Sequence, residues 1–180
     1  MAALTTPDYT IRHATQSDIP TILAMINELA TYEHALHEVQ ATESSLLSTL
    51  SFPDSNGGFT PGYAKTILLL PHTGAPAGMA LYFHNYSTWR SAPGIYLEDL
   101  FVRPEYRGKG YGTALIRALA RECTRLECRR LEWSVLKWNE PSIRFYQGES
   151  VGATRMEEWV GMRVDGERLL KLAEREDGDK

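Results

Sequence analysis

Two short segments of this 180-residue chain hold residues whose types and spacing could do chemistry. The first is Arg107-Gly-Lys-Gly-Tyr-Gly-Thr113, three glycines and two cations just ahead of an apolar-periodic stretch. A helix start leaves backbone N–H groups unpaired and carries the positive end of the helix dipole, so such a loop favours a phosphate. Gly108, Gly110 and Gly112 would let the main chain approach it without a Cβ in the way, and Arg107 and Lys109 add charge. The spacing is not that of a Rossmann fingerprint, whose third glycine would fall at Thr113, nor of a Walker loop, which needs Gly-Lys-Ser/Thr. The second segment is Gly-Ile-Tyr-Leu-Glu-Asp-Leu-Phe-Val, residues 94–102, where Glu98 and Asp99 interrupt an otherwise apolar strand. A carboxylate there could take a proton from a substrate. On these residues alone the loop serves equally as a plain helix entry; a wet strand edge is the competing reading of the carboxylates.

The elements that must position these groups follow from periodicity. Residues 10–13 are expected as a short first strand. After Ser17 and Asp18, suitable N-cap residues, Ile19, Ile22, Leu23, Ile26 and Leu29 recur at helical spacing, and a second helix starts near Thr42 with Leu46, Leu47 and Leu50. Residues 52–62, rich in Pro, Gly, Asn and Ser, read as a surface loop. Strands at 65–70 and 77–86 form a hairpin, and 94–102 is a third long strand. Residues 110–127 read as a helix with Leu115, Leu119, Cys123 and Leu126 on one face and Arg117, Arg121 and Arg125 solvated on another. A strand at 131–135 should then run parallel to 94–102 through a right-handed crossover. A short helix at 141–146, a last strand at 159–164, a weak helical turn at 169–172 and a charged, frayed tail complete the chain. The expected fold class is α+β with a mixed central sheet, in one domain over 1–180.

Composition narrows the function classes. The net charge is −4, yet residues 103–130 hold eight basic and only three acidic side chains. A locally positive region in an acidic chain fits a small polyanion, and no basic stripe interleaved with aromatics points to a nucleic-acid partner. With 43% hydrophobic residues and two cysteines, the chain is neither disordered nor a disulfide-stapled scaffold. Its longest apolar stretch, 75–83, falls far short of the roughly 20 residues that span a bilayer, and the N-terminus lacks the pattern of a secretory signal, so no membrane partner and a cytoplasmic address are expected. Cys123 and Cys128 have neither CxxC nor zinc-ribbon spacing; they read as reduced structural thiols, and no metal site is expected.

Arg-x-x-Gly-x-Gly, filled by Arg107, Gly110 and Gly112 after a strand ending Leu100-Phe-Val-Arg-Pro, resembles the coenzyme A signature of the GNAT superfamily of acetyltransferases. Trp138-Asn-Glu-Pro-Ser-Ile-Arg-Phe-Tyr146 resembles the second family motif, in which an Asn and a Tyr flank the thioester. Within the superfamily the chain is most similar to the spermidine/spermine (diamine) N-acetyltransferase group, through Glu28-Leu-Ala-Thr-Tyr-Glu33, Ile95-Tyr-Leu-Glu-Asp99 and Glu157-Glu158-Trp159.

The resemblance implies a GNAT fold with its sheet splayed at 94–102, acetyl-CoA as cofactor, and direct acetyl transfer in a ternary complex, in a homodimer. Acetyl-CoA would be held by Leu100, Phe101, Val102, Arg107, Gly108, Lys109, Gly110, Tyr111, Gly112, Thr113, Asn139, Ser142 and Tyr146. Tyr146 matches the family tyrosine that protonates the departing thiolate. An alkylamine has a pKa of about 10.4, so a base must take its proton, and Glu98 is the candidate, directly or through a water. Adjacent strand residues point to opposite faces, so only one of Glu98 and Asp99 is expected to face the thioester. A bulge around 100–102 would open the sheet and offer a backbone N–H to the developing oxyanion.

The implied acceptor is a small-molecule amine, with Glu28, Glu33, Trp89, Glu98, Asp99 and Glu158 as candidate contacts to a cation. Ser87-Thr88 stands before Trp89 where the polyamine enzymes carry Asp-Pro, and residues 147–152 form a longer connection than usual. A polyamine, a diamine or a lysine-like amine therefore remains open. The competing readings are a protein lysine or N-terminal amine as acceptor, and a non-catalytic coenzyme A-binding module.

Overall fold

A computed structural model describes residues 2–174. Two strands, β1 (Leu4–Thr5) and β2 (Tyr9–His13), lead into helix α1 (Ile19–Tyr32). The entry to α1 is stabilised by local side chains: Asp18 accepts from the Thr15 amide at 2.7 Å and is gripped by both terminal nitrogens of Arg12, while Pro20 occupies the first turn, where its missing N–H costs nothing. Helix α2 (Glu43–Thr49) is capped by Thr42, whose hydroxyl accepts from the Ser45 amide at 3.1 Å. Residues 52–62 form the expected loop, although Phe52 itself turns into the core. Then follow β3 (Lys65–Pro71), β4 (Gly78–Ser87), β5 (Ala92–Val102), α3 (Tyr111–Arg125), β6 (Leu131–Trp133), α4 (Glu140–Gln147) and α5 (Gly166–Glu174).

The strands form one six-stranded sheet in the order β1-β2-β3-β4-β5-β6. Neighbours are antiparallel except β5 and β6, which are parallel as the strand–helix–strand reading requires. Each face of the sheet is covered. Ile11, Ile67, Leu69, Ala80, Tyr82, Ile95 and Leu97 pack against Leu115, Ala118 and Leu119 of α3. On the other face Leu68, Met79, Leu81 and Phe101 pack against Ile19, Ile22 and Met25 of α1 and Leu46 of α2. The α+β class and mixed sheet are as expected.

Three local expectations are corrected. Residues 159–164 are not a strand: β6 offers an edge of only three paired residues as a template, and Trp159 instead stands beside Trp89, ring centroids 6.3 Å apart. The strand expected over 131–135 stops at Trp133, where its partner β5 departs from regular pairing. The weak turn at 169–172 is part of α5, an amphipathic helix whose Leu169, Leu170 and Leu172 are exposed. The last residues of the expected charged tail, 175–180, lie outside the described residues. Among the described residues no helix is long and apolar enough to cross a membrane.

Candidate active site

The two carboxylates of β5 do not alternate. Ile95 and Leu97 pack on the α3 core, and strict alternation would send residues 99 and 101 the same way. Instead Leu100 and Val102 pack there, while Phe101 is buried on the α1–α2 side. The parity changes at Glu98: Leu81 lies opposite Asp99 and Tyr82 opposite Leu97, which leaves Glu98 with no partner on β4. This one-residue bulge turns both Glu98 and Asp99 toward the α1 side, against the expectation that only one would face there, and it sits two residues earlier than expected. Beyond Leu97, β5 has no pairing with β6, so the sheet opens from residue 98 and the far edge of residues 98–102 is left uncovered by a strand, with the Val102 carbonyl taken by Arg107 Nε. Because their side chains are packed in the two cores, Leu100, Phe101 and Val102 can meet a ligand chiefly through those main-chain groups.

Val102 leads into a turn (Pro104–Tyr106) and the glycine loop. Gly108 (φ 76°) and Gly110 (φ 77°) are left-handed, and a Cβ on either would meet nothing within 4 Å, so backbone conformation alone demands glycine at these positions. Gly110 caps α3 without a side chain, so the amides of Tyr111, Gly112 and Thr113 are the unpaired donors that every helix start leaves. Gly112 matters for packing instead, since a Cβ there would stand 3.4 Å from Phe145 Cζ, and its absence lets α3 lie close against α4. Tyr111 is buried edge-on to Tyr9, so only its main chain faces outward. Lys109 Nζ sits 5.2 Å over the Tyr106 ring. Arg107 folds back, its Nε donating to the Val102 carbonyl at 2.9 Å and its guanidinium lying 5.2 Å over Tyr32. Helix-start amides, two cations and an opened strand edge in series suit an elongated ligand with an anionic end and an amide-bearing arm.

The other wall comes from the end of α1 and the start of α4. Asn139 is buried and its Oδ1 accepts from the Ser142 amide at 3.3 Å, capping α4, and from the Tyr32 hydroxyl at 3.2 Å. The cofactor contacts expected of Asn139 and Ser142 therefore share groups already used to build the helix start. Tyr146, on α4, packs its ring 4.9 Å from Trp133. Burial, then the nearby charge of Glu33, push its phenol up to about 12. Burial raises the Glu33 carboxyl too. Asp99 is pushed up to about 6 by burial first, then by the negative charges of Glu98 and Glu33. Glu33 thus acts on both Asp99 and Tyr146, and Glu98 on Asp99.

The family follows from comparison with known proteins. Residues 29–152 match the model of the acetyltransferase (GNAT) family. The chain belongs to the GNAT acetyltransferases. A thialysine N-epsilon-acetyltransferase of Sus scrofa is 35% identical over 171 residues, covering 91% of this chain and 96% of the relative. An L-ornithine N5-acetyltransferase of Arabidopsis thaliana is 32% identical, covering 90% and 86%. Among solved structures, an integron cassette protein from the mobile metagenome of V. cholerae superposes with a TM-score of 0.73 at 26% identity, over 93% of this chain and 98% of that one. An aminoglycoside acetyltransferase from an uncultured soil sample shares the fold at TM-score 0.68 and 16% identity, over 87% and 95%.

Within this GNAT fold the predicted site residues divide. The charge of Glu33 acts on Asp99 and on Tyr146, Glu98 adjoins Asp99 in the bulge, and the glycine loop reaches the end of α1 through Arg107 over the Tyr32 ring. Glu28 does not join them: its carboxylate is held by Arg103, Nη2 to Oε1 2.8 Å. Trp89 is 89% exposed in the β4–β5 turn, roughly 20 Å along the strand from Asp99, and its ring partner is Trp159, next to the exposed Glu158. Sequence reading missed Tyr32, Arg103 and Trp133. Tyr32 lies inside the quoted segment 28–33 and could have been singled out; the other two gave no local signal.

Proposed function

We propose that this acetyltransferase moves the acetyl group of acetyl-CoA to the primary amine of a small cationic substrate, by direct transfer in a ternary complex. The observation that supports it best is the β5 bulge, which turns Glu98 and Asp99 to the α1 side, where the charge of Glu33 acts on Asp99. The relatives named for thialysine and L-ornithine favour an acceptor with an amine at the end of a side chain, alongside diamines and polyamines. Acetyl-CoA, when bound, supplies a thioester carbonyl carbon that accepts the amine nitrogen while the carbon–sulfur bond breaks. Residues fitting it are Arg107, Lys109 and the amides of Gly108 to Thr113 for its diphosphate, and the open main chain of Leu100 to Val102 for its amide-bearing arm.

Asp99 and Glu33 hold the ammonium group, and Glu98, exposed beside them, accepts the amine proton directly or through water. Tyr146 keeps its proton throughout the physiological range and hands it to the leaving sulfur. Glu158 and Trp89 serve the far end of a long cation. We further read residues 1–180 as one acetyltransferase domain that works in the cytoplasm as a homodimer. The free thiols of Cys123 and Cys128 fit a reducing compartment, and exposed Met156, Trp159, Val160, Met162 and Leu170 offer apolar surface to a second copy.

The test is thiol release from acetyl-CoA with a panel of polyamines, diamines, lysine analogues and arylamines. Release with cationic alkylamines is expected; no release across the panel overturns the reading.

A further inference from the structure

Arg103 follows the last residue of β5 and precedes the turn that carries the glycine loop. Its side chain is the most heavily bonded cation of this region. Nη2 donates to Glu28 Oε1 at 2.8 Å, Nε to Glu28 Oε2 at 3.0 Å, and Nη1 to the Pro76 carbonyl at 3.1 Å, while its amide donates to the Ala77 carbonyl at 2.9 Å. The Arg103 side chain is 17% exposed and that of Glu28 37%, so this is a multiply hydrogen-bonded, partly buried pair rather than two solvated charges.

Position on the helix makes the pair more than a local brace. Glu28 and Tyr32 are four apart on α1 and share a face. Glu28 holds Arg103, and Tyr32 lies under the guanidinium of Arg107, so one helix face grips both arginines that flank the turn Pro104–Tyr106. The next residue, Glu33, is the one whose charge reaches Asp99 and Tyr146. A single stretch of six residues therefore touches Arg103 and Arg107 on one side and, through Glu33, carries the charge that acts on Asp99 on the other.

We propose that Glu28 and Arg103 are a positioning pair that couples the amine-facing end of α1 to the acetyl-CoA loop, so that binding of both substrates depends on it. Neither side chain touches substrate in this scheme, and the inference rests on the acetyl-transfer reading above.

The experiment is steady-state kinetics of Glu28→Gln, Arg103→Gln and the double variant, with melting temperatures measured alongside. Loss of the pair is expected to raise KM for acetyl-CoA and for the amine together, by about five- to tenfold, with kcat within about twofold. The double variant should be no worse than the poorer single one, because both remove the same interaction. A fall in melting temperature with both KM values unchanged would overturn the proposal, as would a rise in the amine KM alone, which would make Glu28 a direct amine contact. If Glu28→Gln does not fold, Glu28→Asp, shorter by one methylene, is expected to show the same paired rise and overturns the proposal if it does not. Calorimetric binding of coenzyme A separates this inference from the reading beneath it. Should the wild-type protein turn over no amine, the acetyl-transfer reading fails, while coenzyme A bound equally well by wild type and Glu28→Gln would sink the pair.

Discussion

The Tyr32 hydroxyl donates to Asn139 Oδ1 at 3.2 Å, joining the last residue of α1 to the cap of α4 across 107 positions of sequence. The same oxygen accepts from the Ser142 amide, so one buried acceptor fixes two walls of the candidate site. Tyr32→Phe keeps the ring beneath Arg107 and removes only this bond. It is expected to lower stability by about 1 kcal/mol, read as a lower urea midpoint at unchanged slope. An unchanged midpoint would mean that the bond contributes nothing in solution.

Asp99 links pH to both stability and activity. Its carboxyl ionises near 3.8 when unperturbed and at about 6 in the folded chain. Below about pH 4 both states carry the proton. Between 4 and 6 the folded state retains a proton that the unfolded chain has released, so this contribution to stability disappears as pH rises through 6, leaving a buried charge. Asp99→Asn is therefore expected to stabilise the protein at pH 8, on the order of 2 kcal/mol, and to change little at pH 4. Chemical denaturation at the two pH values checks it, and destabilisation at pH 8 would contradict it.

The same carboxyl should shape the rate profile. If ionised Asp99 holds the ammonium group, kcat/KM of the wild type falls on the acid side near pH 6, and the Asn variant loses that limb together with at least tenfold in kcat/KM at pH 7.5. A limb that persists unaltered in the variant assigns it to another group.

Tyr146→Phe tests the proton donor without disturbing the wall it builds, because Trp133 and Phe145 still pack against the ring. We expect kcat to fall at least tenfold, in line with general-acid contributions of roughly 100-fold, and the melting temperature to stay within a few degrees. Unchanged kcat would remove Tyr146 from the chemistry.

The glycines of the loop should respond differently to alanine. Gly110→Ala forces a left-handed conformation on a residue with a Cβ, at a cost of roughly 1–2 kcal/mol, although open space surrounds it. Gly112→Ala sits in regular helix, where alanine gains up to about 1 kcal/mol over glycine, set against a contact of 3.4 Å with the Phe145 ring. Urea midpoints should rank Gly112→Ala above Gly110→Ala; the reverse order would show that Phe145 cannot yield.

Much of this is legible from residue patterns, for identifiable reasons. The periodicity of Ile19, Ile22, Leu23, Ile26 and Leu29 marks α1, and the apolar runs in β3 to β5 mark strands, because each element packs one face on the core. The glycine loop is legible because positive φ at residues 108 and 110 leaves glycine as the favoured choice. The bulge is not: two polar residues inside a strand give no sign of which one is supernumerary, so the rule of alternation misplaces a carboxylate. Glu28 reads as a substrate contact because a lone acid on a helix announces nothing about an arginine 75 positions away. The strand expected at 159–164 has the right side chains, but a strand also needs a partner edge, and that is a property of the sheet rather than of the segment.

The irregularity at Glu98 behaves like a frameshift written into the backbone. Everything after it, Leu100 and Val102 on one face and Phe101 on the other, is in phase with its packing partners only because one additional residue has been counted in. Swapping either acid for another side chain leaves that count intact, whereas deleting one would rotate the apolar end of β5 inside out and detach the glycine loop behind it. Residue number, more than residue identity, is what this stretch cannot lose.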